Sequence, residues 1–217
     1  MAPSLREPVN GLTHGAGALL AIGVLAVGFG RAVDAGAATH VIGFGVFGLS
    51  LVALYTTSAL YHLLPLSAAA VARLRLLDHA MIFVLIAGTY TPVCLIALHG
   101  GWRWGLLGLI WGLAVGGISL KLRWRRMPRG LSTALYELMG GVAVIAVPAL
   151  LRAAPLGALA WLLVGGVAYS VGALVYACDR PTLIPGVFGA HELWHLFVLA
   201  GSACHVWALL RYVAPLG

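Results

Sequence analysis

A seven-helix transmembrane bundle is the fold this sequence predicts, and composition, segment length and the absence of a competing pattern all lead to it. Of its 217 residues, 62% are hydrophobic and only 9% are charged, where globular chains carry roughly 25% charged residues. Seven stretches reach the length of about 20 mostly apolar residues that a spanning helix needs. Alternating segments of about ten residues, the mark of a membrane β-barrel, are absent. So few charges cannot keep a chain of this length in water, and lipid is its main solvent.

The first stretch, 10–31, ends at the charged turn from Arg31 to Asp34, and the second, 41–66, ends at the segment Ser67 to Arg75. The third, 77–98, closes at His99 to Arg103, and the fourth, 103–122, runs into a basic loop. Within the fourth, Gly108, Gly112 and Gly116 recur every fourth residue as one smooth stripe, expected to let a neighbouring helix come close. The fifth, 131–151, stops at Arg152 to Pro155; the sixth, 155–177, stops at Asp179 to Pro185; the seventh covers 188–212. Loops this short leave no room for a second folded unit, so 1–217 reads as one transmembrane domain. The first apolar stretch is followed by more of the same without a convincing cleavage site, so no signal peptide is expected.

The net charge of +7 raises the question of a nucleic-acid partner, and its distribution answers against one. Lys121, Arg123, Arg125, Arg126 and Arg129 supply five of the thirteen basic residues, in one short loop with no aromatic-interleaved basic face. A basic loop beside an apolar span reads as a topology anchor touching anionic lipid. Counting Lys and Arg on alternate sides puts Arg6, Arg73, Arg75, those five and Arg180 on the N-terminal side, which makes 9, against Arg31, Arg103, Arg152 and Arg211, which makes 4. The positive-inside rule then expects a cytoplasmic N-terminus and an external C-terminus in the cell (inner) membrane. Cys94, Cys178 and Cys204 are odd in number, contain no Cys-x-x-Cys and read as packing residues.

Ionisable groups inside spans are costly, and each is a functional candidate. Under the alternating topology, Ser58 and His62 at the end of the second helix, Asp78 and His79 at the start of the third, and His191, Glu192 and His195 at the start of the seventh share one membrane depth. Glu7, Asn10 and His14 at the start of the first helix join them. His191 and His195 are four apart and project from one helix face, the usual helical metal pair. Three imidazoles plus a water make a tetrahedral zinc site with one open position, and zinc lowers the pKa of its water to about 7. Asp78 and Ser58 nearby are placed to orient that water or carry its proton.

His191-Glu192-Leu193-Trp194-His195 also fits the His-Glu-x-x-His pattern of zinc peptidases, with Glu192 as base. That reading needs a ligand downstream, where the chain has no acid and only His205, ten residues on instead of six. His62 is the better third ligand. Bland readings stand beside the sharp ones. Asp78 at a helix start is also a dipole cap, and Ser58 is also placed to bond its own backbone. Glu192 is also a partner for Arg180 or a first-turn acid, and Glu7, Asn10 and His14 line a pocket or only fix the entry of the first helix. Glu137 is expected to pair with the basic loop, His205 to bond between helices, and His40 and His99 to sit solvated on the outer side.

Taken in order, Asn10-Gly-Leu-Thr-His14, Ser58-Ala-Leu-Tyr-His62, Leu76-Leu-Asp78-His-Ala, Ala87-Gly-Thr-Tyr-Thr-Pro92, His191-Glu-Leu-Trp-His195 and Gly201-Ser-Ala-Cys-His205 resemble the haemolysin III family. That family is the bacterial branch of the progestin and adipoQ receptor family. The resemblance runs over essentially the whole chain. It implies seven helices with a cytoplasmic N-terminus, zinc held at the positions of His62, His191 and His195, and the Ser58 and Asp78 positions flanking a zinc-bound water. The wider superfamily includes alkaline ceramidases, which hydrolyse lipid amide bonds, and the adiponectin receptors look similar in their site. In the receptor branch the position of Glu192 can be Gln, which speaks against an obligatory base there. The expectation is therefore a zinc protein acting on membrane lipids, by hydrolysis of a lipid amide or ester. A lipid sensor with structural zinc and a pore-forming cytolysin are the alternatives, with membrane lipids as substrate or ligand, no nucleic acid, and no protein partner specified.

Overall fold

The computed structural model describes residues 5–216. Seven helices long and apolar enough to cross a membrane follow one another: α1 (Pro8–Asp34), α2 (Ala38–Leu63), α3 (Ala68–Ala97), α4 (Gly100–Arg123), α5 (Arg129–Ala153), α6 (Leu156–Cys178) and α7 (Ala190–Val213). Among the described residues the only extended pairing is an isolated bridge between Ile184 and Phe188.

The helix ends follow local chemistry. Pro8 opens α1, where its missing N–H leaves no bond unmade. Pro65 forces Leu64 into extended backbone and stops α2 just after His62. Ser67 caps α3, its hydroxyl accepting from the Ala70 N–H at 3.4 Å. This start lies nine residues before the expected 77, because 68–77 is rich in Ala, Leu and Arg, strong helix formers that carry the helix beyond the apolar slab. Asp78 is consequently an interior residue of α3 and does not cap it. Asp179 terminates α6 in the left-handed region (φ 55°), which Asp tolerates better than most residues.

Short connections make successive helices antiparallel neighbours, and α7 returns to pack on both α6 and α1. The ends at Pro8, Leu63, Ala68, Arg123, Arg129, Cys178 and Ala190 therefore lie together at what we call the N-terminal end of the bundle. One core holds Phe47, Leu51, Leu54, Tyr55 and Val198, and a second holds Phe83, Ile110, Tyr136 and Met139 between α3, α4 and α5. Several buried hydroxyls are satisfied inside their own helices: Ser50 donates to the Phe47 carbonyl at 2.7 Å and Thr89 to that of Leu85 at 2.8 Å.

Close helix approach occurs where sequence spacing alone did not single it out. A Cβ on Gly48 would stand 2.9 Å from the Leu25 backbone, and one on Gly43 would stand 3.0 Å from the Pro92 backbone. The Gly108, Gly112, Gly116 stripe faces open space instead, with nothing within 4 Å. The close contact of α4 falls on its other side, where Gly117 meets the ring of Phe83. Helix α5 breaks at Val142, just after Gly140 and Gly141, and Tyr90 of α3 bridges the break. Its hydroxyl donates to the Gly140 carbonyl at 2.5 Å and accepts from the Ala143 N–H at 2.7 Å.

Candidate metal centre

Three imidazoles converge at the N-terminal end of the bundle. His62 comes from the last turn of α2, and His191 and His195 from the first two turns of α7. One ring nitrogen of each lies within 4.8 Å of the others, a group that can hold a metal ion. The ring centroids are 5.0 Å apart for His62 and His191, 4.8 Å for His62 and His195, and 4.9 Å for His191 and His195.

Two of the three rings are fixed by what their other nitrogen does. His62 Nδ1–H donates to Glu7 Oε2 at 2.6 Å, since a carboxylate only accepts. His195 Nδ1–H donates to the Asn10 carbonyl at 3.2 Å. Each bond selects the tautomer whose Nε2 lone pair is free. His62 is 0% exposed and its Nε2 has no partner, an expensive state for a buried polar atom unless something else meets it. A carboxylate behind a histidine whose other nitrogen faces a metal is the usual support of a metal ligand. The donor set and the orphaned nitrogen therefore fit a metal ion.

Glu7 is held in turn. The Glu7 N–H donates to the His62 carbonyl at 3.0 Å, and Arg6 donates to the Tyr61 carbonyl at 2.8 Å, which clamps the segment before α1 onto the end of α2. The hydrogen bond from His62 pulls the Glu7 carboxyl down to about 2, against the opposing effect of its partial burial. It is a full carboxylate at neutral pH. Nothing in the spacing of Glu7 and His62, 55 residues apart, singles out this pair; the only signal was the acid at the mouth of the first helix.

The remaining expected residues fall around this group in distinct ways. Asn10 donates from Nδ2 to Glu192 Oε1 at 2.8 Å, and Glu192 Oε2 accepts from the Gly189 N–H at 2.8 Å. Glu192 is thus occupied with the start of α7 and with Asn10, and it does not pair with Arg180. Ser58 shares a hydrogen bond with His14 Nδ1 at 2.8 Å, so its hydroxyl reaches across to α1. The His14 ring stacks on His195 with centroids 3.7 Å apart, and its Nε2 is buried without a partner.

Asp78, Ser58, His14, His191 and His195 all line one cavity of about 1110 Å³. That exceeds ordinary small-ligand pockets of roughly 300–1,000 Å³. Its N-terminal end is polar and its far end is walled by residues such as Val93, Leu106, Leu150 and Leu159. Along α4 it reaches from Lys121 to Leu106, about 22 Å at the helical rise.

Other expectations are corrected. Glu137 lines the cavity and accepts from the Ser170 hydroxyl of α6 at 2.5 Å, away from the basic loop. His205 donates to the Gly201 carbonyl of its own helix at 2.8 Å and stacks on Tyr169, with no part in the metal group. His40 is buried, not solvated, whereas His99 is exposed. The three cysteines are free, in line with the expectation of no disulfide framework, but Cys178 is exposed and does not pack in the core as Cys94 does.

The family profile described as "Haemolysin-III related" matches residues 4–206. The chain is 40% identical over 210 residues to "Hemolysin-3" of Bacillus cereus, covering 96% of this chain and 92% of that one. It is 38% identical over 206 residues to the "Hemolysin-3 homolog" of Bacillus subtilis (strain 168), covering 95% and 93%. A human relative, "Monocyte to macrophage differentiation factor", is 26% identical over 175 residues, covering 77% of this chain and 69% of its own.

Proposed function

The chain belongs to the haemolysin-III related family, and on that premise we propose that it is a zinc-dependent hydrolase of lipid amide or ester bonds, serving membrane lipid homeostasis. One observation carries the proposal. Three histidine nitrogens gather at the polar end of a long amphipathic cavity, with the buried Nε2 of His62 left for a metal.

Zinc suits three imidazoles and an open position, and when bound it would supply Lewis acidity and a hydroxide source at neutral pH. The chain's own residues divide the other tasks. Glu7 and the Asn10 carbonyl hold His62 and His195 in the tautomer that presents Nε2. Asp78 lines the chamber beside them and is the group placed to take or return a proton, while Ser58, steadied by His14, offers a hydroxyl to a polar reactant. The apolar far end of the cavity excludes water and accepts a hydrocarbon chain. A closed structural site takes four protein ligands, whereas this group has three among the described residues, which favours catalysis over a sensor with structural zinc.

The test is turnover of a lipid panel, beginning with long-chain ceramides, by zinc-loaded wild type and Asp78→Asn. Hydrolysis by the variant should fall by roughly 100-fold or more while zinc stays bound. Equal background rates with zinc fully loaded would leave the sensor reading in its place. The name of the Bacillus cereus relative favours a different reading, cytolysis. A cytolytic pore would pass ions through vesicles of the pure protein whatever its zinc content. Apart from Glu137 the charged lining lies at one end of the cavity, and Val93, Leu106, Leu150 and Leu159 wall the far end, which argues for no conductance. We also place the protein in the cell (inner) membrane with its N-terminus in the cytoplasm, on the 9 to 4 split of basic residues. A reporter that works only outside the cytoplasm should be active after Gly217 and silent near Met1.

A further inference from the structure

Lysine is almost never fully buried unless paired. Lys121, in the last turn of α4, is 4% exposed, and among the described residues its ammonium meets only the hydroxyl of Ser132, at 2.5 Å. A hydroxyl and the carbonyl end of a helix offer partial charges, not a counter-ion. The chain has six acids, and none makes an ion pair with Lys121 among the described residues. Glu7 binds His62, Asp179 binds Arg129, Glu192 binds Asn10, and Glu137 accepts from Ser170. Asp34 ends α1 at the opposite end, and Asp78 makes no ion pair among the described residues.

The ammonium is not alone. Arg75, Arg125 and Arg126 line the same cavity and make no ion pair among the described residues. Arg75 lies in electrostatic range of Lys121, and His79 in range of both. The acids lining the cavity are Glu7, Asp78 and Glu137. Glu7 and Glu137 are already engaged, and Asp78 sets one negative charge against Lys121, Arg75, Arg125 and Arg126, so the mouth beside Lys121 carries an excess of positive charge. The same cavity continues into apolar lining for about 22 Å along α4.

We propose that this mouth is a phosphate site built around Lys121, which takes lipids with an anionic phosphate headgroup and lays their hydrocarbon chain along the cavity. A phosphate has several strong acceptor oxygens and can meet a buried ammonium and neighbouring guanidinium groups at once. A choline headgroup would bring its own cation against Lys121 and Arg75, and a neutral headgroup would leave the ammonium unpaired. The proposal deepens the hydrolase reading by naming its substrate class, and it rests on that reading only in taking the cavity as a lipid chamber.

The experiment is lipid titration of the purified, full-length protein in detergent by native mass spectrometry, with dioleoyl phosphatidic acid, dioleoyl phosphatidylcholine, a long-chain ceramide and inorganic phosphate as probes. One phosphatidic acid per chain is expected, at least about 10-fold tighter than the phosphatidylcholine or ceramide. Lys121→Met should remove that preference and Lys121→Arg should keep it. The pair Arg125→Gln, Arg126→Gln, at two exposed positions, should weaken phosphatidic acid binding several-fold and flatten its salt dependence. The preference should persist in a metal-free His191→Ala, His195→Ala variant, so absence of turnover and absence of this site are separable results. An unchanged preference in Lys121→Met, or equal binding of phosphatidic acid and phosphatidylcholine by wild type, would overturn the site. Inorganic phosphate binding as tightly as phosphatidic acid would overturn the lipid as its source.

Discussion

Helices α2 and α3 and helices α4 and α5 are equally apolar in sequence, yet they are built for different work. In their most apolar stretches 50% of α2 and 67% of α3 is buried, against 22% for each of α4 and α5. Glycine marks the same division. Gly43, Gly48 and Gly88 of the first pair sit against backbone or side chains of neighbouring helices, whereas Gly108, Gly112, Gly116, Gly130, Gly140 and Gly141 of the second have nothing within 4 Å. The well-buried helices α2 and α3, with α1 packed along α2 and α7 against α1, carry the histidines and the groups that orient them. The loosely packed helices supply cavity wall, including the broken α5 and the buried ammonium of α4. Small residues in a membrane helix therefore mean either close approach or open space, and periodicity alone does not say which.

Removing both α7 ligands is the largest way to test this division. His191→Ala, His195→Ala should abolish binding of one zinc per chain, read by metal analysis, and lower the melting temperature in detergent because metal binding couples to folding. His205→Ala should keep the metal. Normal zinc stoichiometry in the double variant would sink the centre. Next in size is Glu7→Gln, which keeps the shape but weakens the support of His62. Zinc affinity should drop by roughly 10–100-fold in a chelator competition, with the fold intact. An unchanged affinity would show that the clamp onto α2 does nothing for the metal.

The smallest effects address packing directly. Gly48→Ala places a Cβ against Leu25 backbone and should destabilise by about 1–3 kcal/mol, the usual range for overpacking. Gly112→Ala, in open space, should be neutral or stabilise by up to about 1 kcal/mol, because alanine is the better helix former. Thermal melts of the two variants in one detergent compare the two regions within a single experiment. Equal losses would erase the difference between them.

How much was legible beforehand depends on the range of the interaction concerned. The i, i+4 pair of His191 and His195 and the placement of His62 at the end of α2 followed from local spacing and alternating topology, and both are found at one end of the bundle. The start of α3 was misjudged because hydropathy reports where lipid begins, not where backbone hydrogen bonding begins, and 68–77 is good helix outside the apolar slab. The α4 glycine stripe was misjudged for a related reason. Its spacing is real, but α4 presents Gly117 to Phe83 and turns the stripe away.

The amino-acid sequence by itself determined the solvent, the seven helices and the residue types of the metal group, because these rest on composition, on segment length and on the 3.6-residue period. Only the tertiary structure decided that Glu7 stands behind His62, that Glu192 binds Asn10, and that Lys121 is buried without a counter-ion beside a long cavity. The Glu7–His62 and Asn10–Glu192 pairings join residues 55 and 182 positions apart. They exist because packing rotates each helix about its axis to satisfy all its neighbours at once, and no local pattern encodes that rotation.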